Sequence, residues 1–146
     1  MFLHFLKFIC GEGSWSLRPY ELLVIEEALG VMDEADASVV RSNLNGIFVD
    51  RMSSGRICVI RYPRDRHLVK LAESSYDDML IEVTVAVEGR KEVAHVTFYR
   101  GLLFSVEFKK AGRWYKRKSV KVIGAVRGLV QSSYSNQIDK AEHGRI

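Results

Sequence analysis

Cysteine is scarce in this chain. Cys10 and Cys58 are the only two, too few for a disulfide framework. Cys58 lies in the apolar run Arg56-Ile57-Cys58-Val59-Ile60 and reads as a buried thiol acting as a small hydrophobe. This usage fits a reducing compartment such as the cytoplasm. Proline is as rare, with two residues beside 11 glycines, a balance that argues against extended disorder. The signatures of familiar chemistry are also missing. His4, His67, His95 and His143 share no short metal-ligand spacing, and there is no H-E-x-x-H, C-x-x-C, G-x-S-x-G, P-loop or G-x-G-x-x-G. No cofactor, metal or catalytic residue is assigned. Glu82, Glu107 and His95 fall on the polar sides of strands and read as solvated or sheet-packed groups, with acid–base work in an enzyme of unrecognised type as the lesser alternative.

No apolar run is long enough to span a bilayer, which takes about 20 residues in a helix. The longest apolar stretch is at the start, Met1 to Cys10, and His4 and Lys7 interrupt it. It lacks the basic leader of a signal peptide. Phe2, Phe5, Leu6 and Ile9 share one helical face. The expectation is a short helix or strand docked on the core. A membrane-surface anchor is the alternative, although such helices carry more basic residues on their polar face.

What is present suits one domain. At 146 residues, with 47% hydrophobic and 27% charged side chains, the chain can bury roughly 68–70% of its unfolded surface. Residues 1–130 read as a single α+β domain, and 131–146 as a polar tail expected to be mobile. Ser16 and Pro19 open a helix over 17–32, with Leu22, Ile25, Ala28, Leu29 and Met32 inward and Glu21, Glu26 and Glu27 on other faces. Asp33 caps a second helix that ends before Asn45-Gly46. Residues 47–52 and 56–62 read as a hairpin across Ser53-Ser54-Gly55. The segment 64–78 is polar, with a short helix expected around 67–73.

The clearest pattern is the alternation of Ile81, Val83, Val85 and Val87, answered by Ala94, Val96 and Phe98. A four-residue loop, 88–91, would pair Ile81 with Phe98, Val83 with Val96 and Val85 with Ala94. Phe104, Val106 and Phe108 follow on one face. A plain two-residue Arg100-Gly101 turn would set Thr97 against Phe104, apolar against polar, so a three-residue loop or a bulge near Gly101 or Leu102 is expected. Val120 and Val122 point inward on a last strand, and a helix from Ala125 is its competitor. The whole reads as N-terminal helices on one face of an antiparallel meander of about five or six strands.

Charge is unevenly spread. Between 109 and 121 there is no acid and seven of the 22 Lys and Arg residues, leaving 15 basic against 18 acidic residues elsewhere, a balance of −3. The overall +4 therefore comes from this segment. Lys109, Lys110, Arg113, Trp114, Tyr115, Lys116, Arg117 and Lys118 are the candidate contact residues. Cations with interleaved aromatics suit an acidic protein surface, and they also suit nucleic acid, where an aromatic stacks on an unpaired base. A solvated hairpin tip, its aromatics packed back and its lysines guarding a sheet edge, is the bland reading. Arg61, Arg64, Arg66 and His67 form a second basic group, read as a solvated loop.

The order of an N-terminal helix and a meander, with the step Val96-Thr97-Phe98-Tyr99-Arg100-Gly101-Leu102-Leu103-Phe104-Ser105-Val106-Glu107, resembles that of small bacterial orphan proteins, some of them immunity proteins. The resemblance implies a non-enzymatic protein that occludes a partner, and it assigns no functional residue. An acidic protein partner is expected ahead of nucleic acid, and the pattern leaves self-association open.

Overall fold

The computed structural model describes residues 1–10, 12–72 and 78–128. The expected C-terminal tail lies outside the described residues, as does position 73, and residues 67–72 are not helical, contrary to the helix expected around 67–73. Four helices are described: α1 (Phe2–Ile9), α2 (Pro19–Leu29), α3 (Glu34–Asn43) and the short α4 (Gly112–Tyr115). Seven strands, β1 (Gly13–Ser14), β2 (Phe48–Met52), β3 (Ile57–Arg61), β4 (Leu80–Val87), β5 (Arg90–Tyr99), β6 (Leu102–Glu107) and β7 (Val120–Gly128), form one antiparallel sheet. Its order is β1-β2-β3-β6-β5-β4-β7. The α+β class stands, with seven strands in place of five or six.

Alternation decides the faces. Ile81, Val83, Val85, Val87, Ala94, Val96 and Phe98 are buried in one core, while Glu82, Thr84 and His95 point the other way. The β4–β5 register differs from expectation by two residues: Ile81 faces Val96, and Val83 faces Ala94. The chain turns on Glu88 and Gly89 alone, both at positive φ (48° and 76°), the tight turn whose twist matches a hairpin. A two-residue shift preserves the inward face, so periodicity could not detect it. The β5–β6 turn is also a two-residue turn, and the expected bulge is present but displaced. Thr97 faces Ser105 while Phe98 faces Leu103. Phe104 is thus the extra residue and is exposed, and Leu103 joins Val106 and Phe108 inside. Gly101 is required at that turn: a Cβ would lie 2.7 Å from the Leu71 carbonyl oxygen. Beyond Val122, β7 continues as a strand to Gly128.

Helix α2 lies over the inner face, and α3 adds Ala37 and Val40 to the same core. The buried side of α2 is Tyr20, Glu21, Val24, Ile25, Ala28 and Leu29. This corrects the expectation at two positions: Leu22 is exposed, and Glu21 is fully buried. The reason lies on β2, where Val49 and Arg51 point inward. Arg51 clasps Glu21 with two bonds, Nε to Oε1 at 2.8 Å and Nη2 to Oε2 at 2.7 Å. Its Nη1 donates to Ser14 Oγ at 2.8 Å. The Arg18 amide donates to Glu21 Oε2 at 2.8 Å, and the Tyr20 hydroxyl lies 3.2 Å from Oε1. Among the described residues no buried side-chain nitrogen or oxygen lacks a partner.

Helix α1 sits apart from that layer. Its His4 stacks on Phe48 at 4.3 Å, and Lys7 pairs with Asp50 at 2.6 Å. Phe48 and Asp50 alternate with Val49 and Arg51, so α1 runs over the outer face of β2. Contrary to the expected core docking of its apolar residues, none of its residues is buried.

The Glu21–Arg51 pair sets a stability test. Glu21→Ala strands a buried guanidinium and is expected to cost about 3–5 kcal/mol. Glu21→Leu with Arg51→Met removes both charges and is expected to restore most of that loss, measured by urea unfolding. Equal losses in the two variants would contradict the role given to the pair.

Candidate functional site

The basic segment is the crossover from β6 to β7, and it passes the ends of β5 and β4 on the way. Buried anchors hold it. Phe108 packs edge-on to Tyr20 at 5.0 Å, and Tyr115 stacks on Tyr20 at 5.0 Å. The Tyr115 hydroxyl donates to Glu92 Oε2 at 2.9 Å and accepts from the Lys110 amide at 3.2 Å. At the far end the Ser119 amide donates to Glu88 Oε1 at 3.0 Å. Burial, then the bond to Glu92, pushes the Tyr115 phenol up to about 12 from an ordinary 10.0. Gly112 admits this packing, because a Cβ there would come within 2.5 Å of both the Arg18 guanidinium and the Tyr20 hydroxyl.

The candidate contact residues divide into three groups. Tyr115 is buried and offers no ring to a partner. Trp114 is half-buried, and Lys110 and Lys118 place their ammonium groups 3.7 Å and 3.4 Å from its ring centroid. Lys109, Arg113, Lys116 and Arg117 are exposed. No carboxylate among the described residues forms an ion pair with any of the six cations of 109–118.

Beside the segment opens a cavity of about 820 Å³, within the size range of small-molecule sites. Arg18, Arg51, Arg113, Lys116 and Lys118 bring positive charge to its lining, against the single acid Glu12. Arg51 is neutralised by Glu21, so the charge that no ion pair among the described residues offsets comes from Arg18 and the segment. Tyr20, Tyr115, Leu23 and Val120 supply apolar wall, and Cys10 closes the end nearest α1. Such a site can hold an anionic group beside an apolar one. Cys58 lies behind it, with Sγ 3.3 Å from Glu21 Oε1. Burial and the neighbouring Glu21 push its thiol well up, so it stays protonated and inert.

Arg18, Tyr20 and Arg51 escaped the sequence reading. One signal was available for the pair: Glu21 shares a helical face with Val24, Ile25 and Ala28, and Arg51 shares a strand face with Val49. Opposite charges at two core-facing positions point to a buried pair. Arg18, lying just before a proline, carries no such signal. Other groups weighed from sequence do not join the cavity. Arg61 pairs with Asp50 at 3.4 Å, and Arg66 donates to the Asn43 and Asn45 carbonyls. Glu82, His95 and Glu107 do come together, in one row across β4, β5 and β6, with His95 Nε2 3.7 Å from Glu82 Oε1. That row lies on the outer face of the sheet and does not line the cavity. Among the described residues no cluster of His, Cys, Asp or Glu could hold a metal ion, and no helix is long and apolar enough to cross a membrane.

No protein-family model matches this chain, and neither a curated protein nor a solved structure matches it.

The raised Tyr115 phenol gives a pH test. The unfolded chain loses this proton near 10 and the folded chain near 12, so folding is favoured in full below 10 and the contribution is lost as pH rises from 10 through 12. Tyr20 and Tyr62, pushed up by burial, act in the same direction. Tyr115→Phe is expected to cost about 1–2 kcal/mol near neutrality and to make the alkaline fall in unfolding free energy shallower. An unchanged alkaline slope would show that the phenol is not held as described.

Proposed function

We propose that this chain is a non-enzymatic binding protein that occludes an acidic protein partner through Lys109, Lys110, Arg113, Lys116, Arg117 and Lys118. One observation carries the reading: six cations, none ion-paired with a carboxylate among the described residues, stand on a segment that buried aromatics hold in place. Holding the backbone before contact lowers the ordering cost of association. Unpaired surface cations steer an acidic partner and set its orientation. Arg18 and the cavity beside the segment give an acidic side chain of that partner a place to enter. Trp114, half-buried, holds the Lys110 and Lys118 ammonium groups over its ring, and Tyr115 supports the segment from beneath. The two free cysteines suit work in a reducing compartment.

Nucleic acid is the second reading, and the aromatics count against it. Base stacking needs an open ring face, whereas Tyr115 is buried and two ammonium groups already sit over Trp114.

An affinity capture from the native host, with and without nuclease, separates the two. Wild-type protein is expected to retain one stoichiometric protein that resists nuclease, and Lys116→Glu with Arg117→Glu and Lys118→Glu is expected to lose it. Recovery of nucleic acid, removed by nuclease and released steeply by salt, would overturn the proposal. Retention of the same protein by the triple variant would overturn the assigned surface.

A further inference from the structure

Helix α1 is mounted in reverse. In a surface helix of a globular protein the apolar stripe faces the core and the polar residues face water. Here the polar pair His4 and Lys7 faces the protein, stacked on Phe48 and paired to Asp50. The opposite side carries Phe2, Phe5, Leu6 and Ile9. At 100° per residue these four fall within one arc centred opposite His4 and Lys7. They are 75%, 52%, 42% and 64% exposed. Trp15, also half-exposed, continues the apolar surface through its contact with Phe8 at 5.1 Å.

The surroundings of this face say what covers it. Helix α1 meets β2 through His4 on Phe48 and Lys7 on Asp50. Cys10, just past its last turn, lines the cavity that Arg18, Arg113, Lys116 and Lys118 also line. An apolar ridge thus ends beside a cavity in which Arg18, Arg113, Lys116 and Lys118 outnumber the one acid of the lining, Glu12. A single convex helix offers no groove for a shaped partner. It suits a fluid surface with an apolar interior and negative headgroups. Neither signal alone gives stable attachment, whereas an apolar insertion joined to a basic patch does.

We propose that α1 seats the protein on an anionic lipid surface. Phe2, Phe5, Leu6 and Ile9 enter the acyl boundary, Trp15 lies at headgroup level, and the cations at the cavity end of α1 face the headgroups. The inference goes beyond the partner reading: it shares Arg113, Lys116 and Lys118 with that reading but needs the exposed face of α1, and the decisive variant leaves the segment 109–118 intact.

The test is sedimentation with vesicles of phosphatidylcholine, alone or mixed with phosphatidylserine. Phe5→Glu with Ile9→Glu is the variant. No α1 residue is buried, so its far-UV circular dichroism should match that of the wild type. Wild-type protein is expected to bind the mixed vesicles, and the variant to bind them about tenfold more weakly. Trp114→Phe leaves Trp15 as the sole tryptophan. Its emission should shift to the blue on those vesicles and be quenched by brominated acyl chains. Absence of vesicle binding by the wild type would overturn the proposal. So would binding that survives the double substitution, which would assign the lipid contact to the basic segment alone. A wild-type dimer that the double substitution dissociates would overturn it too, since a second copy would then cover the face.

Discussion

The buried pair between Glu21 and Arg51 is the constraint from which the functional end of the molecule is built. It ties the first turn of α2 to the inward face of β2. It also gathers the Arg18 amide, the Ser14 hydroxyl, the Tyr20 hydroxyl and the Cys58 thiol around two charged groups. Removing two charges from water is expensive, and only good geometry with every lone pair occupied repays it. Here both carboxylate oxygens and all three guanidinium nitrogens are engaged. The gain lies less in net stability than in position: the entry to α2, the edge strand β1 and β2 meet in one arrangement. Tyr20 then stands where Phe108 and Tyr115 can pack on it.

From that aromatic cluster the basic segment takes its shape. The segment is fastened at Lys110, at Tyr115 and at Ser119, while its cations form no ion pair with an acid among the described residues. A flexible basic loop would attract polyanions of any shape. A fastened one presents charge in a fixed pattern, which favours a shaped acidic surface. On the other side of β2, Asp50 plays the matching part for α1. Its carboxylate holds Lys7, and the apolar side of the helix is left outward. One strand therefore positions two surfaces, with Arg51 serving the cationic cavity and Asp50 the apolar ridge.

Much of the fold was legible in the chain because period-2 and period-3.6 patterns report which face is buried. They gave α2, α3, the β2–β3 hairpin and the meander. They were blind to shifts that preserve the face, which is why the β4–β5 register was off by two and the bulge was placed a few residues early. The basic segment was legible as charge. Its division into exposed cations and a buried Tyr115 was not, since that depends on Tyr20 and Glu92, far away in sequence. Glu21 was misread because charge was taken as a mark of exposure, and α1 because an apolar stripe was taken as a mark of burial. In both cases a specific partner, Arg51 or Asp50, outweighed the general tendency.

The most direct measurement is amide hydrogen exchange across the basic segment in the isolated protein. If the segment is held before any partner arrives, the amides of Lys110, Trp114, Lys118 and Ser119, which donate to Tyr115 Oη, the Ala111 carbonyl, the Tyr115 carbonyl and Glu88, exchange well below unfolded-chain rates. Tyr115→Phe together with Glu92→Gln would raise those rates while leaving β5 protected. Exchange at unfolded-chain rates in the wild type would contradict the account, because the cations would then stand on a loose loop and the pattern they present would not exist before binding.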